Sequence, residues 1–339
     1  MKRETFIVLL FLFLLAACSK EEKTALPLPP VVSSFAKGAD VSWLTEMESS
    51  GRLFFTADGG AAECLSLLKG LGMNAIRLRV WVNPADGWCS ITDVVTKARR
   101  AHQLGLQLLI DFHYSDSWAD PGKQTKPKAW QPLSFAELKE AVATHTREVL
   151  LALQAEKITP RWVQVGNETG NGMLWPDGRA DTDMQRYAKL NNAGYDAVKA
   201  VFPDAKVVIH LQNGNDNNLF RWLFDGLQAH GARWDVIGLS LYPSPDNWQT
   251  MNAACLYNMN DMIARYQKEV MICEVGMSWD APDASYSFLH DLLQKAQAIA
   301  GHKCLGLFYW EPQSYNWQQY SKGAFTLTGR PTHALDAFR

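Results

Sequence analysis

No run of lysine or arginine, no paired cysteine motif, no glycine-rich phosphate loop and no low-complexity stretch occurs in this 339-residue sequence. Lys and Arg total 33 against 35 Asp and Glu, a formal net charge of −2. A chain so nearly neutral has no electrostatic footprint for nucleic acid or for an acidic polymer, so its ligand is expected to be uncharged. Six cysteines are present. Setting Cys18 aside leaves Cys64, Cys89, Cys255, Cys273 and Cys304, an odd set that cannot all pair within one chain. With no CxxC spacing there is neither a zinc motif nor a disulfide framework. Cys273 and Cys304 sit in apolar strands as small hydrophobes, whereas a bridge from Cys64 or Cys89 to another loop cysteine stays open. The one long apolar run, Phe6 to Leu15, is too short to cross a bilayer.

That run has the layout of a leader: Lys2 and Arg3 precede it, and Leu15-Ala16-Ala17-Cys18 closes it. The closing tetrapeptide resembles a bacterial lipobox, so residues 1–17 are expected to be cleaved and Cys18 lipidated. Residues 18–34 follow as a tether, with the charged Ser19-Lys20-Glu21-Glu22-Lys23 and the proline-rich Leu26-Pro27-Leu28-Pro29-Pro30. Such a composition stays extended and solvated. The acidic stretch resembles surface-export signals of Gram-negative lipoproteins. The expected location is therefore the outer membrane, facing the cell surface, with the periplasmic face as the alternative.

From Phe35 onward, short apolar runs alternate with longer stretches of helical period. The runs are Ala36–Val41, Ala75–Trp81, Gln107–His113, Arg161–Asn167, Lys206–Leu211, Val236–Leu241, Val270–Val275 and Leu305–Trp310. Between them lie Ile91–Leu104, Phe135–Glu156, Met184–Phe202, Leu219–His230, Leu256–Gln267 and Tyr286–Ala300. Strands alternating with helices of this length form βαβ units and a parallel sheet. Eight units predict a closed α/β barrel, a (β/α)₈ TIM barrel filling residues 35–339 as a single domain and acting as a monomer. An open doubly wound sheet would carry a Gly-rich loop after its first strand, and none is there.

In such a barrel the chemistry collects at the C-terminal ends of the strands. Polar and aromatic residues gather there: Asp111, His113 and Tyr114 on strand three, Asn167 and Glu168 on strand four, and His210 on strand five. Ser240 and Tyr242 end strand six, Glu274 strand seven, and Trp310 and Glu311 strand eight. Glu168 and Glu274 would face each other across the mouth. Hydrolysis of a glycosidic bond needs one carboxyl to protonate the leaving oxygen and another to meet the oxocarbenium-like centre. Taken alone, Gly166-Asn167-Glu168 also reads as a helix cap. Arg77 and Arg79, two apart on strand two, point to one face, inward, where each needs a carboxylate. One is expected to hold Glu274 ionised, and a structural pair with Asp111 is the alternative for one of them. Asp111 and His113 are expected to hydrogen-bond sugar hydroxyls or Arg79. A metal is not expected there, because the first strand lacks the His-x-His of a binuclear barrel hydrolase. Of thirteen tryptophans, Trp81, Trp88, Trp118, Trp130, Trp175, Trp248, Trp279, Trp310 and Trp317 fall in loops or at strand ends. Most are packing residues. Trp310, ending strand eight beside Glu274, is the one expected to meet a sugar ring.

Two long segments carry a resemblance. Asn74-Ala75-Ile76-Arg77-Leu78-Arg79-Val80-Trp81-Val82-Asn83-Pro84 and the stretch from Asp111-Phe112-His113-Tyr114 to Pro121-Gly122-Lys123-Gln124 resemble glycoside hydrolase family 53, the arabinogalactan endo-β-1,4-galactanases. Val165-Gly166-Asn167-Glu168 and Pro127-Lys128-Ala129-Trp130 fit as well. The likeness runs from about Phe35 to the C-terminus. It implies an endo-acting, retaining galactanase with Glu168 as acid/base and Glu274 as nucleophile. It further implies Asn167 on the 2-hydroxyl of the reacting sugar, His113, Tyr242 and Arg77 lining that subsite, and Trp310 as its floor. Trp118 and His210 would be further contacts. Some bacterial relatives hold calcium on long loops after strands seven and eight. Here Gly276–Ser285 is short and offers only Asp280 and Asp283, so no metal or other cofactor is expected. A β-mannanase or cellulase of the same clan is the competing reading, and a non-catalytic glycan-binding lipoprotein the other.

Overall fold

The computed structural model describes residues 35–339. The expected leader and tether, with Cys18, lie outside the described residues. Eight parallel strands close into a barrel: β1 (Ala36–Asp40), β2 (Ala75–Val80), β3 (Gln107–Phe112), β4 (Trp162–Val165), β5 (Lys206–Leu211), β6 (Val236–Leu241), β7 (Glu269–Val275) and β8 (Cys304–Trp310). Each pairs in parallel with its neighbours in chain order, and β1 joins β8 to complete the ring. Seven helices follow successive strands: α1 (Cys64–Gly70), α2 (Ile91–Gln103), α3 (Phe135–Ala155), α4 (Met184–Val201), α5 (Asn217–Ala229), α6 (Trp248–Tyr266) and α7 (Pro282–Gln297). The eighth position is taken by the 3₁₀ segment His333–Phe338, packed against α7.

The boundaries of α6 and α7 differ from the sequence reading, which began them at Leu256 and Tyr286. Thr250, Met251 and Asn252 carry no clear helical stripe, yet Asn252 is buried and its amide donates to Asp291 (2.9 Å) and to the Phe288 carbonyl (3.1 Å). Tertiary hydrogen bonds thus extend the helix where propensity is weak. Pro282 opens α7 at the first turn, where its missing N–H costs nothing.

Alternation along the strands separates two cores. Outward residues such as Ile76, Leu78, Val80, Leu108 and Ile110 pack under the helices. Inward residues at the lower end, among them Ala36, Ala75, Leu109, Trp162, Val208, Met271 and Phe308, plug the barrel. Gly38 makes room for that plug, since a Cβ there would sit 2.2 Å from the Phe308 ring. One layer higher the inward residues turn polar: Asp40, Arg77, Asp111, Gln164, His210 and Ser240, one from each of β1 to β6, all essentially buried. The five cysteines from Cys64 to Cys304 are all buried with free thiols. The bridge left open for Cys64 or Cys89 is absent: Cys64 begins α1, and the Cys89 sulfur faces the Ser42 carbonyl at 3.9 Å.

Candidate active site

Glu274 reaches the mouth because β7 breaks its own alternation. Met271 and Cys273 both point inward, so strict alternation would send Glu274 out among the helices. The register with β6 shifts at this point: Leu239 lies opposite Ile272 and Ser240 opposite Glu274, leaving Cys273 as the extra residue. This bulge turns Glu274 into the barrel. There its Oε1 lies 2.8 Å from Arg77 Nη1, and the Tyr242 hydroxyl donates to Oε2 at 2.8 Å.

Arg77 holds more than one carboxylate. Its Nη1 also meets Asp40 Oδ2 at 2.8 Å, and its Nη2 meets Asp111 Oδ2 at 2.8 Å and Asn167 Oδ1 at 2.9 Å. Arg77 thus touches both carboxylates that the sequence offered it, Glu274 and Asp111. Burial alone would raise the Asp111 carboxyl, but Arg77 and His113 keep it below the usual carboxylate range. His113 donates from Nε2 to Asp111 (3.1 Å) and accepts the Ala119 N–H at Nδ1 (3.1 Å). Buried beside two arginines, its ring is held neutral, with its pKa lowered. Asp111 thus pairs with Arg77 and His113. The expected contact with Arg79 does not form.

Arg79 sits apart from the carboxylate cluster. Its Nη1 pairs with the buried Glu311 (3.0 Å), and its guanidinium lies against Trp118 (4.2 Å to the ring centre), Trp43 (5.3 Å) and Trp81 (5.4 Å). Glu311 also accepts the Trp43 N–H at 3.0 Å, tying the β1 loop to the end of β8. Above this ion pair, Trp43, Trp118, Trp310 and Tyr320 pack with centroids 4.7–5.9 Å apart, edge to face except for the tilted Trp118–Trp310 pair. They form an aromatic wall anchored from beneath by a cation.

Glu168 stands on a tight turn after β4. Gly166 has φ +84°, and Glu168 itself has φ +47°, a conformation that side-chain-bearing residues seldom adopt. The Thr169 N–H, bonded to the His210 carbonyl at 2.8 Å, fixes the turn from below. No helix begins there, so the cap reading of Gly166-Asn167-Glu168 does not apply; α4 starts at Met184. Burial raises the Glu168 carboxyl, while the Ser240 hydroxyl and Arg77 nearby pull it down. Burial likewise raises Glu274, opposed by Arg77 and Tyr242, and Glu168 adds like-charge repulsion. The two carboxyls titrate as a pair. Of the two, Glu274 has the guanidinium in direct contact and the phenol donor.

The two glutamates open into a cleft of about 500 Å³. Of the residues singled out from the sequence, His113, Trp118, Asn167, Glu168, Tyr242, Glu274 and Trp310 line it. Arg77, Arg79, Asp111 and His210 lie beneath, buried, acting on the lining residues. The cleft also takes Trp43, Asp120, Gln318, Gln319 and Tyr320, which the sequence reading missed. The last three belong to an irregular segment after β8 with no period to flag it; Asp120 stood inside a quoted motif. Among the described residues, no group of three His, Cys, Asp or Glu is arranged to hold a metal ion.

Two carboxyls at one barrel mouth, only one of them paired with a cation, can divide proton donation from nucleophilic attack. What that division cleaves is an acetal, and the chain is a glycoside hydrolase. Residues 36–338 match the model of glycosyl hydrolase family 53, and the chain belongs to that family. A Neosartorya fischeri protein named as a probable arabinogalactan endo-β-1,4-galactanase A is 32% identical over 301 residues, covering 81% of this chain and 83% of its own. A fungal β-1,4-galactanase structure superposes with a TM-score of 0.82 at 29% identity, covering 89% of this chain and 98% of the other. The Ignisphaera aggregans GH53 catalytic domain matches with the same TM-score at 32% identity, over 93% of this chain and 98% of that one.

Proposed function

We propose that the protein cuts β-1,4-galactosidic bonds within galactan, releasing short oligosaccharides with retention of configuration. The galactanases among its relatives and the aromatic wall of the cleft support this substrate. The reaction follows from one observation above all: Glu274 is held between Arg77 and the Tyr242 hydroxyl, both at 2.8 Å, while Glu168 has neither partner.

In the first step Glu274 attacks the anomeric carbon as Glu168 gives its proton to the departing glycosidic oxygen. In the second, Glu168 takes a proton from water, which displaces Glu274 from the sugar. Forming the ester removes the negative charge on Glu274. That lowers the Glu168 pKa between the steps, converting an acid into a base. Asn167 is oriented by Arg77 and by its own donation to the Ala119 carbonyl (2.8 Å), and would meet the 2-hydroxyl of the reacting sugar. Trp310 would supply the apolar floor, with His113 and Tyr242 beside it.

The lipobox supports a further reading: Cys18 carries lipid, and the enzyme works from the outer membrane at the cell surface. Product analysis on unbranched β-1,4-galactan beside mannan, xylan and cellulose tests the substrate. Short galacto-oligosaccharides are expected, and faster attack on mannan or cellulose would reject the assignment.

A further inference from the structure

The catalytic cleft does not end at its aromatic wall. Trp43, Trp118 and Gln318 also line a second pocket of about 280 Å³, whose other walls include Trp81, Trp88 and Asp86. Its residues come from the segments after β1, β2, β3 and β8. None comes from β4 or β7, which carry the two glutamates. The pocket is therefore set away from the bond that is cut, while sharing a wall with the place where it is cut.

Three of its four tryptophans are committed to packing. Trp118 meets Trp43 at 5.7 Å and Trp81 at 5.2 Å between ring centres, both edge to face, and the Arg79 guanidinium lies against all three. Trp88 differs. It is half-buried, stacks on no other aromatic ring among the described residues and belongs to neither hydrophobic core. Its backbone is nonetheless fixed on both sides. Cys89, buried at φ +59°, accepts the Trp81 N–H at its carbonyl (2.9 Å) and donates its own N–H to Asp93 (2.7 Å). The Gly87 N–H bonds the Pro84 carbonyl at 3.2 Å. A large ring held still in a concavity, with no packing partner, keeps apolar surface in water that a ligand would cover.

The chemistry of the pocket selects that ligand. Among the described residues no Lys or Arg lines it, so nothing there would attract a uronate or a phosphate. Asp116 is occupied by the backbone N–H groups of Asn83 (3.0 Å) and Lys128 (2.8 Å). Asp86 is exposed, and Gln318 donates to Glu46 at 3.1 Å, which leaves acceptor oxygens facing hydroxyl donors. An aromatic face beside such acceptors suits an uncharged sugar ring. The shared wall makes the occupant a further unit of the same chain that lies across the glutamates. We propose that this pocket is a distal subsite, with Trp88 as its platform, holding a galactosyl residue one or more units from the bond being cut. The proposal rests on the galactanase reading and assigns the place where a longer chain is gripped.

The test is kcat/KM on galacto-oligosaccharides from galactotriose to galactohexaose, for the unaltered enzyme beside Trp88→Ala. In the unaltered enzyme the value should climb with length, and the step at which a galactosyl residue reaches the pocket should be about tenfold, the scale of one stacked ring. Trp88→Ala should abolish that step and lose far less on the shorter substrates, which stop before the pocket. Trp88→Phe, which keeps an aromatic face, should retain most of it. Equal loss at every length, or an unchanged profile, would assign Trp88 to the loop alone and overturn the proposal. Failure of the galactanase reading looks different: the unaltered enzyme would then leave the whole series uncut, and the subsite would fall with it.

Discussion

With Glu274 as the proposed nucleophile, its replacement by alanine removes the atom that would bond to the anomeric carbon, so every substrate should fail whatever its leaving group. Glu168→Ala should instead lose about 10²–10⁴-fold on galactan and far less on an aryl glycoside whose phenol needs no proton. Added azide should restore Glu168→Ala with retained configuration, and in Glu274→Ala it can give only the inverted product. The opposite pattern, measured by NMR of the products, would exchange the two roles. Tyr242 offers a subtler check. Its hydroxyl stabilises ionised Glu274 from 2.8 Å, so Tyr242→Phe raises the nucleophile's pKa. Activity on the acidic side should then fail about one pH unit higher, with the alkaline limb unmoved. A shift of the alkaline limb would mean that Tyr242 acts on Glu168.

Within single elements, β7 and α3 behave differently from their sequence patterns. The glutamate ending β7 was legible as a candidate, but the way it enters the barrel was not, because a bulge leaves no mark in an apolar run such as Val270–Cys273. Likewise Arg77 and Arg79 were rightly placed on one inward face by the period of two. Their separate partners, Glu274 with Asp111 for one and Glu311 for the other, depend on the height of each strand in the barrel. The helix α3 carries His145 into an aromatic box of Phe112, Tyr114 and Trp130, with Nε2 unpartnered. Burial brings its pKa down from 6.5 to about 4. The unfolded chain therefore takes up this proton first as pH falls. The contribution is present above pH 6.5 and is lost as pH drops toward 4, worth about 3 kcal/mol in all. His145→Leu should flatten that part of the pH dependence, so its Tm should fall less than the parent's between these values. Parallel Tm curves for the two proteins would show that His145 titrates normally in the folded state.

For the molecule as a whole, eight alternating units made the barrel readable from the sequence, because period and length are repeated signals that reinforce one another. The aromatic wall was half readable: Trp118 and Trp310 stood in motifs or at a strand end, whereas Trp43 and Tyr320 are brought in by tertiary ties such as the Glu311 carboxylate. The proposed lipid anchor bears on where the molecule resides, and Cys18→Ser should release it from the membrane fraction and stop lipid-dependent processing. Parent protein recovered unmodified and wholly soluble in the periplasm would dismiss the anchor. The five buried thiols from Cys64 to Cys304 have their own consequence for handling. While folded, residues 35–339 should be indifferent to oxidants and reductants alike, since among the described residues no bridge is present and every thiol is buried. Once heated past its transition, all five become available at once and can cross-link neighbouring chains. Recovery of activity after cooling should then be high with a reducing agent and poor without one, and equal recovery in both buffers would show that the exposed sulfurs are bystanders.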